Sequence, residues 1–192
     1  MIYLYIVLAL IALWVISTYN FFVSAKARIK AAIQEIGNQL KRQADLIPNL
    51  ENSAKGYLTH EKGIFDELSS ARKLVALAAK SGDLKKMSDA GKAISDVLPK
   101  LQVVVEDNPE LKGNEVVQNL MEELRDTSDK VMYARRLLID LSADYNVRRA
   151  TFPTSIIAGA FSFTEMKGLG TAEGGSHLEV SEGETKTPRV SL

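Results

Sequence analysis

Residues 40–61 read L-K-R-Q-A-D-L-I-P-N-L-E-N-S-A-K-G-Y-L-T-H-E, and the architecture predicted for the whole chain depends on this segment. Pro48 has no backbone donor and disfavours helical geometry at Ile47, so the helix that enters this segment is expected to end or kink there. The apolar pattern resumes at Leu50 and continues to about Lys80, which predicts a second long helix running back along the first. The segment is therefore interpreted as a corner between two helices.

Five polar residues in this corner are the candidate site residues, and two interpretations of them stay open. Arg42, Asp45 and Asn49 share one face of a continuing helix, and His60 and Glu61 follow in the next one. In the structural interpretation, an Arg–Asp pair braces the break and the asparagine bonds freed carbonyls. In the other interpretation, the set binds a ligand or a partner. The structural one is favoured, because polar groups on apolar faces most often satisfy the backbone.

Upstream of this corner, residues 2–16 read I-Y-L-Y-I-V-L-A-L-I-A-L-W-V-I, and the uncharged run continues to Ala25. About 20 such residues cross a hydrocarbon core of about 30 Å as a helix. Residues 1–25 are therefore predicted to be a transmembrane anchor. A cleaved signal peptide is the alternative, since Val23-Ser24-Ala25 resembles a cleavage site, but the run lacks the basic residues that precede a signal sequence.

The charges that flank the anchor predict its orientation. Lys26, Arg28 and Lys30 follow the apolar run immediately, and nothing basic except the amino terminus precedes it. Because basic residues favour the cytoplasmic side, we expect a single-pass protein of the cell membrane with its N-terminus outside and the remainder in the cytoplasm.

Downstream of the corner, apolar residues recur at helical spacing in two further segments. A third helix is predicted from Leu84, with a kink or break at Pro99, and a fourth from an N-cap at Asn114 to about Ala150. Four helices joined by short links, each apolar on one stripe, predict an all-α, antiparallel four-helix bundle over residues 26–166.

The chain beyond the fourth helix is predicted to contain a break, a short apolar piece and a tail. Phe152-Pro153 ends the helix, and residues 155–163 either pack under the bundle or touch lipid. Residues 167–192 are rich in Gly, Ser, Thr and Glu and have no apolar period, so we expect a disordered tail.

Composition argues against several functions. Lys and Arg number 24 and Asp and Glu also number 24, so the chain lacks the basic excess expected of a nucleic-acid-binding protein. The absence of cysteine excludes thiolate metal sites, disulfides and a cysteine nucleophile. His60-Glu61 is not followed by a second histidine, because Ile64 stands at the position that a zinc-binding H-E-x-x-H motif requires. We therefore expect no enzyme activity, no cofactor and no metal.

Several motifs occur in an order and spacing that resembles the LemA family of bacterial membrane proteins. They are Tyr19-Asn20, L-K-R-Q-A-D-L-I-P-N-L at 40–50, K-G-Y-L-T-H-E at 55–61, Ala71-Arg72, N-P-E-L-K-G-N-E at 108–115, Ala134-Arg135-Arg136, Tyr145-Asn146 and F-P-T-S-I-I-A-G-A-F-S-F at 152–163. The resemblance implies an N-terminal anchor, a cytoplasmic helical bundle and no established biochemical activity. The two Tyr-Asn pairs are predicted to meet at one end of the bundle if the first and fourth helices are neighbours.

The chain departs from the family pattern in its fourth helix and in its last motif. Leu138-Ile139 stand where the family tends to have Tyr-Asn, and Ser128 stands where a glutamate is usual. Ser162 occupies the place of the glycine in the family's F-G-F. A family role that depends on those polar groups is therefore not carried over to this chain.

These observations predict a noncatalytic membrane protein that scaffolds or recruits other proteins. The alternatives are an accessory or sensor subunit of a membrane-bound protease or other membrane enzyme, and an enzyme of unrecognised type. The expected partners are the lipid bilayer and an unidentified membrane or cytoplasmic protein, with no nucleic acid. The oligomeric state stays open.

Overall fold

The structure, a computed structural model, describes residues 1–55 and 62–169, with only the backbone of Lys62. These residues contain no strand and form six helices: α1 (Ile2–Ala54), α2 (Lys62–Ser81), α3 (Leu84–Asp107), α4 (Pro109–Lys112), α5 (Glu115–Ala150) and α6 (Thr154–Ala160). The all-α prediction is confirmed, and the predicted tail from residue 170 onward lies outside the described residues.

Helices α1 and α5 run antiparallel along most of the length of α5. Phe22 packs edge-on against Tyr145, with ring centroids 5.4 Å apart, and Arg42 pairs with Glu123 farther along. Because the residue number rises in α1 as it falls in α5, the two helices point in opposite directions.

Helices α2 and α3 form a hairpin that completes the bundle. Lys100 of α3 donates to Glu67 of α2 at 2.7 Å, and Ser95 of α3 lies 3.3 Å from Ser128 of α5, Oγ to Oγ. Each of the four long helices is thus antiparallel to its two neighbours, which confirms the predicted bundle. Their inward faces form one core, whose largest fully buried side chains are Phe22, Ile36, Leu40, Ile47, Leu50, Leu68, Ile94, Leu101, Leu111, Leu124, Leu138 and Tyr145.

Neither internal proline ends its helix, and this corrects the predicted end or break at Pro48 and Pro99; the predicted kink stays a prediction. Helix α1 continues through Pro48 to Ala54, and α3 continues through Pro99 to Asp107. A proline deprives the helix of one hydrogen bond, whereas Ile47, Leu50 and Ala54 all have at most 1% of their surface exposed. Burial of this face holds the helix together past the proline, so Leu50 belongs to the first helix and not to the second.

Asparagine caps set the boundaries of α4 and α5. The Asn114 side chain accepts from the backbone N–H of Val116 and Val117, at 3.0 and 3.3 Å, which confirms the predicted start of the fourth long helix. The helical turn α4 was not predicted. It begins at Asn108, whose side chain accepts from the N–H of Glu110 at 3.0 Å.

The chain reverses after α5 and returns along the bundle. Helix α6 follows Pro153 and buries Ile157 and Ala158 against the bundle. Residues 163–169 then run back beside α5, with Phe163, Met166 and Leu169 packed against the core. The apolar piece, residues 155–163, therefore packs under the bundle, which is one of the two placements that the sequence predicted.

Residues 2–16 of α1 project beyond all of this packing. Every large apolar side chain in the segment except the half-buried Val15 is exposed, and the first buried residue is Thr18. Among the described residues, α1 is the one helix that is long and apolar enough to cross a membrane.

Candidate functional site

Arg42, the first of the predicted site residues, joins two helices. Its Nε donates to Glu123 Oε1 at 2.9 Å, and Nη2 donates to the same oxygen. The hydrogen bond and charge of Glu123 raise the pKa of the arginine above its ordinary value. The expected Arg42–Asp45 pair is therefore wrong, because the helix packing brings a carboxylate of α5 within reach instead.

Asp45 and Asn49 lie on the exposed face of α1 on either side of Pro48. The Asn49 side chain donates to the backbone oxygen of Asp45 at 3.3 Å. This carbonyl is next to that of Ala44, which lacks its usual partner because Pro48 has no N–H. The asparagine thus bonds a carbonyl adjacent to the freed one. The Asp45 carboxylate has no hydrogen bond or ion pair with the described residues.

His60 and Glu61 lie outside the described residues, so their membership of this polar set stays a prediction. Across residues 1–55 and 62–169, no group of three or more histidine, aspartate and glutamate side chains is close enough to hold a metal ion.

An open groove of about 860 Å³ lies between α1 and the end of the α2–α3 hairpin. Small residues line part of it, namely Gly37, Ala44, Ala76 and Ala79. Lys41, Asp45 and Lys80 contribute both charge signs. Small residues allow the backbone of another helix to approach closely, and the charged side chains offer ion pairs to its polar face. The groove brings Asp45 together with two cations that the sequence analysis did not single out.

Two polar side chains are buried close in sequence to the Arg42–Glu123 pair: Gln43 follows Arg42, and Thr127 lies one turn after Glu123. Gln43 is fully buried, and neither atom of its amide bonds to a described residue. Thr127 is also fully buried and donates to the Leu124 carbonyl at 2.8 Å. The sequence was sufficient to predict that Gln43 is buried, although the sequence analysis did not single it out. Apolar residues and Gln43 share the alternating four- and three-residue spacing of one helix seam, namely Ile36, Leu40, Gln43, Ile47 and Leu50.

The opposite end of the α1–α5 pair holds an aromatic cluster. Phe22 stacks on Phe163 with ring centroids 4.9 Å apart, and Tyr19 meets Phe161 edge-on at the same distance. The Tyr145 hydroxyl donates to the Thr164 carbonyl at 3.0 Å. Burial of this phenol raises its pKa above the ordinary value.

Asn146 fixes the returning segment to α5. Its amide donates to the Met166 carbonyl at 2.8 Å and accepts from the Met166 N–H at 3.0 Å. Tyr19 and Tyr145 lie at the same end of the bundle, as expected if the first and fourth long helices are neighbours. They are connected through other rings, because Phe163 contacts both Tyr19 and Phe22, and Phe22 packs against Tyr145. A direct pairing of the two Tyr-Asn motifs stays a prediction.

Two arginines of α5 surround this end. The Arg148 guanidinium lies 3.9 Å from the centroid of the Phe21 ring, and its Nε is 3.3 Å from Asp144. Arg149 lies 3.5 Å from Glu165. Together with Lys26, these residues place cationic groups at the level where α1 leaves the bundle.

The fold and these sites define an all-α protein in which one apolar helix, long enough to span a membrane, continues into a four-helix bundle. The LemA family model matches residues 32–181, which is most of the chain. The chain therefore belongs to the LemA family, as its motifs predicted. No curated protein sequence matches it.

Proposed function

We propose that this LemA family protein is anchored in the cell membrane by a single helix and that its bundle binds other proteins there without catalysing a reaction. One observation carries the proposal: α1 is a single helix whose exposed apolar residues 2–16 lead directly into the buried seam of the bundle. A continuous apolar surface of this size is unfavourable in water and favourable in lipid. The membrane is thus a natural environment for the projecting segment.

The aromatic cluster favours a retained anchor over a cleaved signal peptide. Cleavage after Ala25 would remove Tyr19 and Phe22, and Phe22 has none of its surface exposed. Phe163 and Tyr145 would lose their ring partners. A segment that supplies core residues to the folded bundle is poorly suited to removal.

We further propose that the bundle lies in the cytoplasm. Lys26, Arg28 and Lys30 are exposed on α1 just past the apolar segment. Arg148 and Arg149 of α5 lie at the same end, so folding adds two basic side chains there, which lie beside the carboxylates of Asp144 and Glu165.

The groove supports binding of a partner. Its small residues and mixed charges suit the face of a helix from another protein, and the Asp45 carboxylate is exposed within it. Arg42, by contrast, is occupied by Glu123, so the described residues of the polar corner, Arg42, Asp45 and Asn49, do not bring together a nucleophile, a base and an orienting group. This arrangement favours recruitment of a protein over catalysis.

Because the chain has no cysteine, single-cysteine variants test the orientation directly. We expect cysteine at Lys112, which is exposed on the bundle, to react with a membrane-impermeant maleimide only after the cells are opened. A cysteine inserted directly after Met1 should react in sealed cells. The reverse pattern would refute the proposed orientation.

Photocrosslinking in native membranes tests the groove. A photoreactive residue at Asn38, which lines the groove, should give discrete crosslinked products. The same residue at Asp129, which is exposed on α5 and outside the groove, is the matched control. Asp45→Ala should reduce the Asn38 products without lowering the thermal stability. Equal products from both positions would contradict groove binding, and capture of a protease would favour the accessory-subunit alternative.

A further inference from the structure

The turn and helix that follow α5 leave three large apolar side chains exposed. Phe152 is 77% exposed, Ile156 59% and Phe161 51%, whereas Ile157 and Ala158 face the bundle. Helix α6 thus has an inner face that closes the bundle and an outer face that stays exposed, with the Phe161 ring contacting Tyr19 on one side only.

The position of this outer face follows from the antiparallel pairing of α1 and α5. Tyr145 packs beside Phe22, and from there α5 continues for five residues to Ala150. At about 1.5 Å per residue, those five residues advance about 7.5 Å toward the N-terminus of α1. They reach the level of Ser17, which is where the apolar segment emerges from the bundle.

The projecting segment alone is short for a membrane. The 16 residues from Ile2 to Ser17 extend about 24 Å, against a hydrocarbon core of about 30 Å. Extending the span to Phe22 gives 21 residues and about 31 Å. A full span therefore brings the bilayer boundary down to Tyr19 and Phe22, which pack against Phe161 and Phe163.

We propose that α6 and its flanking turn are a second membrane-contacting element, in which Phe152, Ile156 and Phe161 insert into the leaflet that faces the bundle. This inference rests on the proposed function, because it takes the anchor to span the bilayer. The bilayer is the occupant that the geometry selects, since the exposed face continues the surface of the anchor at the same depth.

The charges around this face fit a bilayer interface. Arg148 and Arg149 lie within one turn of the end of α5, and Lys26 follows the apolar segment on α1. An apolar tip bordered by cations is typical of segments that insert into the interface while their basic residues contact anionic headgroups. The Arg148 guanidinium also packs on Phe21, which keeps its apolar stem against the bundle.

Site-directed spin labelling of the full-length protein in lipid nanodiscs tests the proposal. Single cysteines replace Phe152, Ile156 or Phe161, and accessibility of the label to oxygen and to a water-soluble nickel chelate reports its depth. Ile11→Cys, within the anchor, is the lipid reference. Val116→Cys is the aqueous reference, because this valine is 57% exposed at the far end of α5.

We expect the oxygen-to-nickel accessibility ratio at the three positions to be several-fold higher than at Val116 and to approach the ratio at Ile11. Labels that resemble Val116 would overturn the inference, and so would labels shielded from both oxygen and nickel, which would indicate a protein contact. Quenching of Trp14, the single tryptophan, by brominated lipid reports the anchor in each sample. If Trp14 is quenched while the labels stay aqueous, only the second contact fails. If Trp14 is not quenched, the proposed anchoring fails as well.

Discussion

Replacing Phe22 with alanine tests whether the anchor and the bundle form one folded unit. The side chain has none of its surface exposed, and its ring contacts those of Tyr145 and Phe163, at centroid distances of 5.4 and 4.9 Å. Truncation of a fully buried phenylalanine removes its burial and leaves a cavity, which costs about 3–5 kcal/mol. We expect a loss near the low end of this range if residues 163–169 relax into the cavity. A loss near the high end is expected if Asn146 holds these residues in place.

Urea unfolding in detergent micelles, followed by far-UV circular dichroism, measures this loss, and near-UV circular dichroism reports the aromatic cluster directly. Val23→Ala is the matched control. It lies next to Phe22 on the same helix, but 45% of its surface is exposed, so the change in the free energy of unfolding should stay below about 1 kcal/mol. If Phe22→Ala and Val23→Ala cost the same, the cluster does not tie the anchor to the bundle. The structural argument against cleavage after Ala25 would then fail.

Three further predictions concern local features. Ser162 has a φ of 54°, where a Cβ is strained, so Ser162→Gly should raise the free energy of unfolding by about 1 kcal/mol in the same urea assay. Gln43→Met should raise it by about 1–3 kcal/mol, because the buried amide is unsatisfied by the described residues and methionine has a similar length. Asp83 is the N-cap of α3, and the backbone N–H groups of Lys86 and Lys85, which donate to its carboxylate, lower the pKa of that carboxyl below its ordinary value. The contribution of the carboxylate to stability is therefore present above the ordinary pKa and is lost as the pH falls through the folded-state pKa. In a thermal melt series across that acidic range, Asp83→Asn should therefore lose less stability than the wild type.

Each of these has its own control. Ser162→Ala keeps the Cβ and should not stabilise, so an equal gain from alanine would contradict the strain argument. Gln39→Met should gain less than Gln43→Met, because the Gln39 amide already donates to Glu35 at 2.7 Å. A destabilised Gln43→Met would mean that the amide has a partner. Asp83→Asn keeps a side chain that caps helices, so its stability at neutral pH should match the wild type. An identical acid profile would refute the linkage.

Helical periodicity was enough to predict the bundle but not the effect of its prolines. The seam residues of all four long helices lie in the core, and the cap at Asn114 begins α5 as expected. Pro48 was misjudged because local propensity was weighed without the tertiary burial of Ile47 and Leu50. That burial is a property of the assembled bundle, so a local pattern in one helix does not display it.

The sequence was likewise sufficient to predict some residues of the candidate site but not their partners. The partner of Arg42 is Glu123, which is 81 positions away in the sequence, and no spacing rule within one helix selects it. Gln43 was open to prediction, since it breaks an otherwise apolar seam. The groove depends on where the α2–α3 hairpin ends along α1, and that register is set by packing between helices.

The departure at Ser162 connects the family motif to the end of the molecule that we place at the membrane. The backbone at this position is left-handed, which suits the glycine that the resemblance led us to expect there. The turn directs Phe163 inward onto Phe22 and leaves Phe161 half exposed beside Tyr19. A strained serine is tolerated there because rings on both sides hold the turn. The same backbone turn therefore serves two purposes. It packs Phe163 onto α1 through Phe22, and it presents Phe161 at the level where we propose that α1 meets the bilayer.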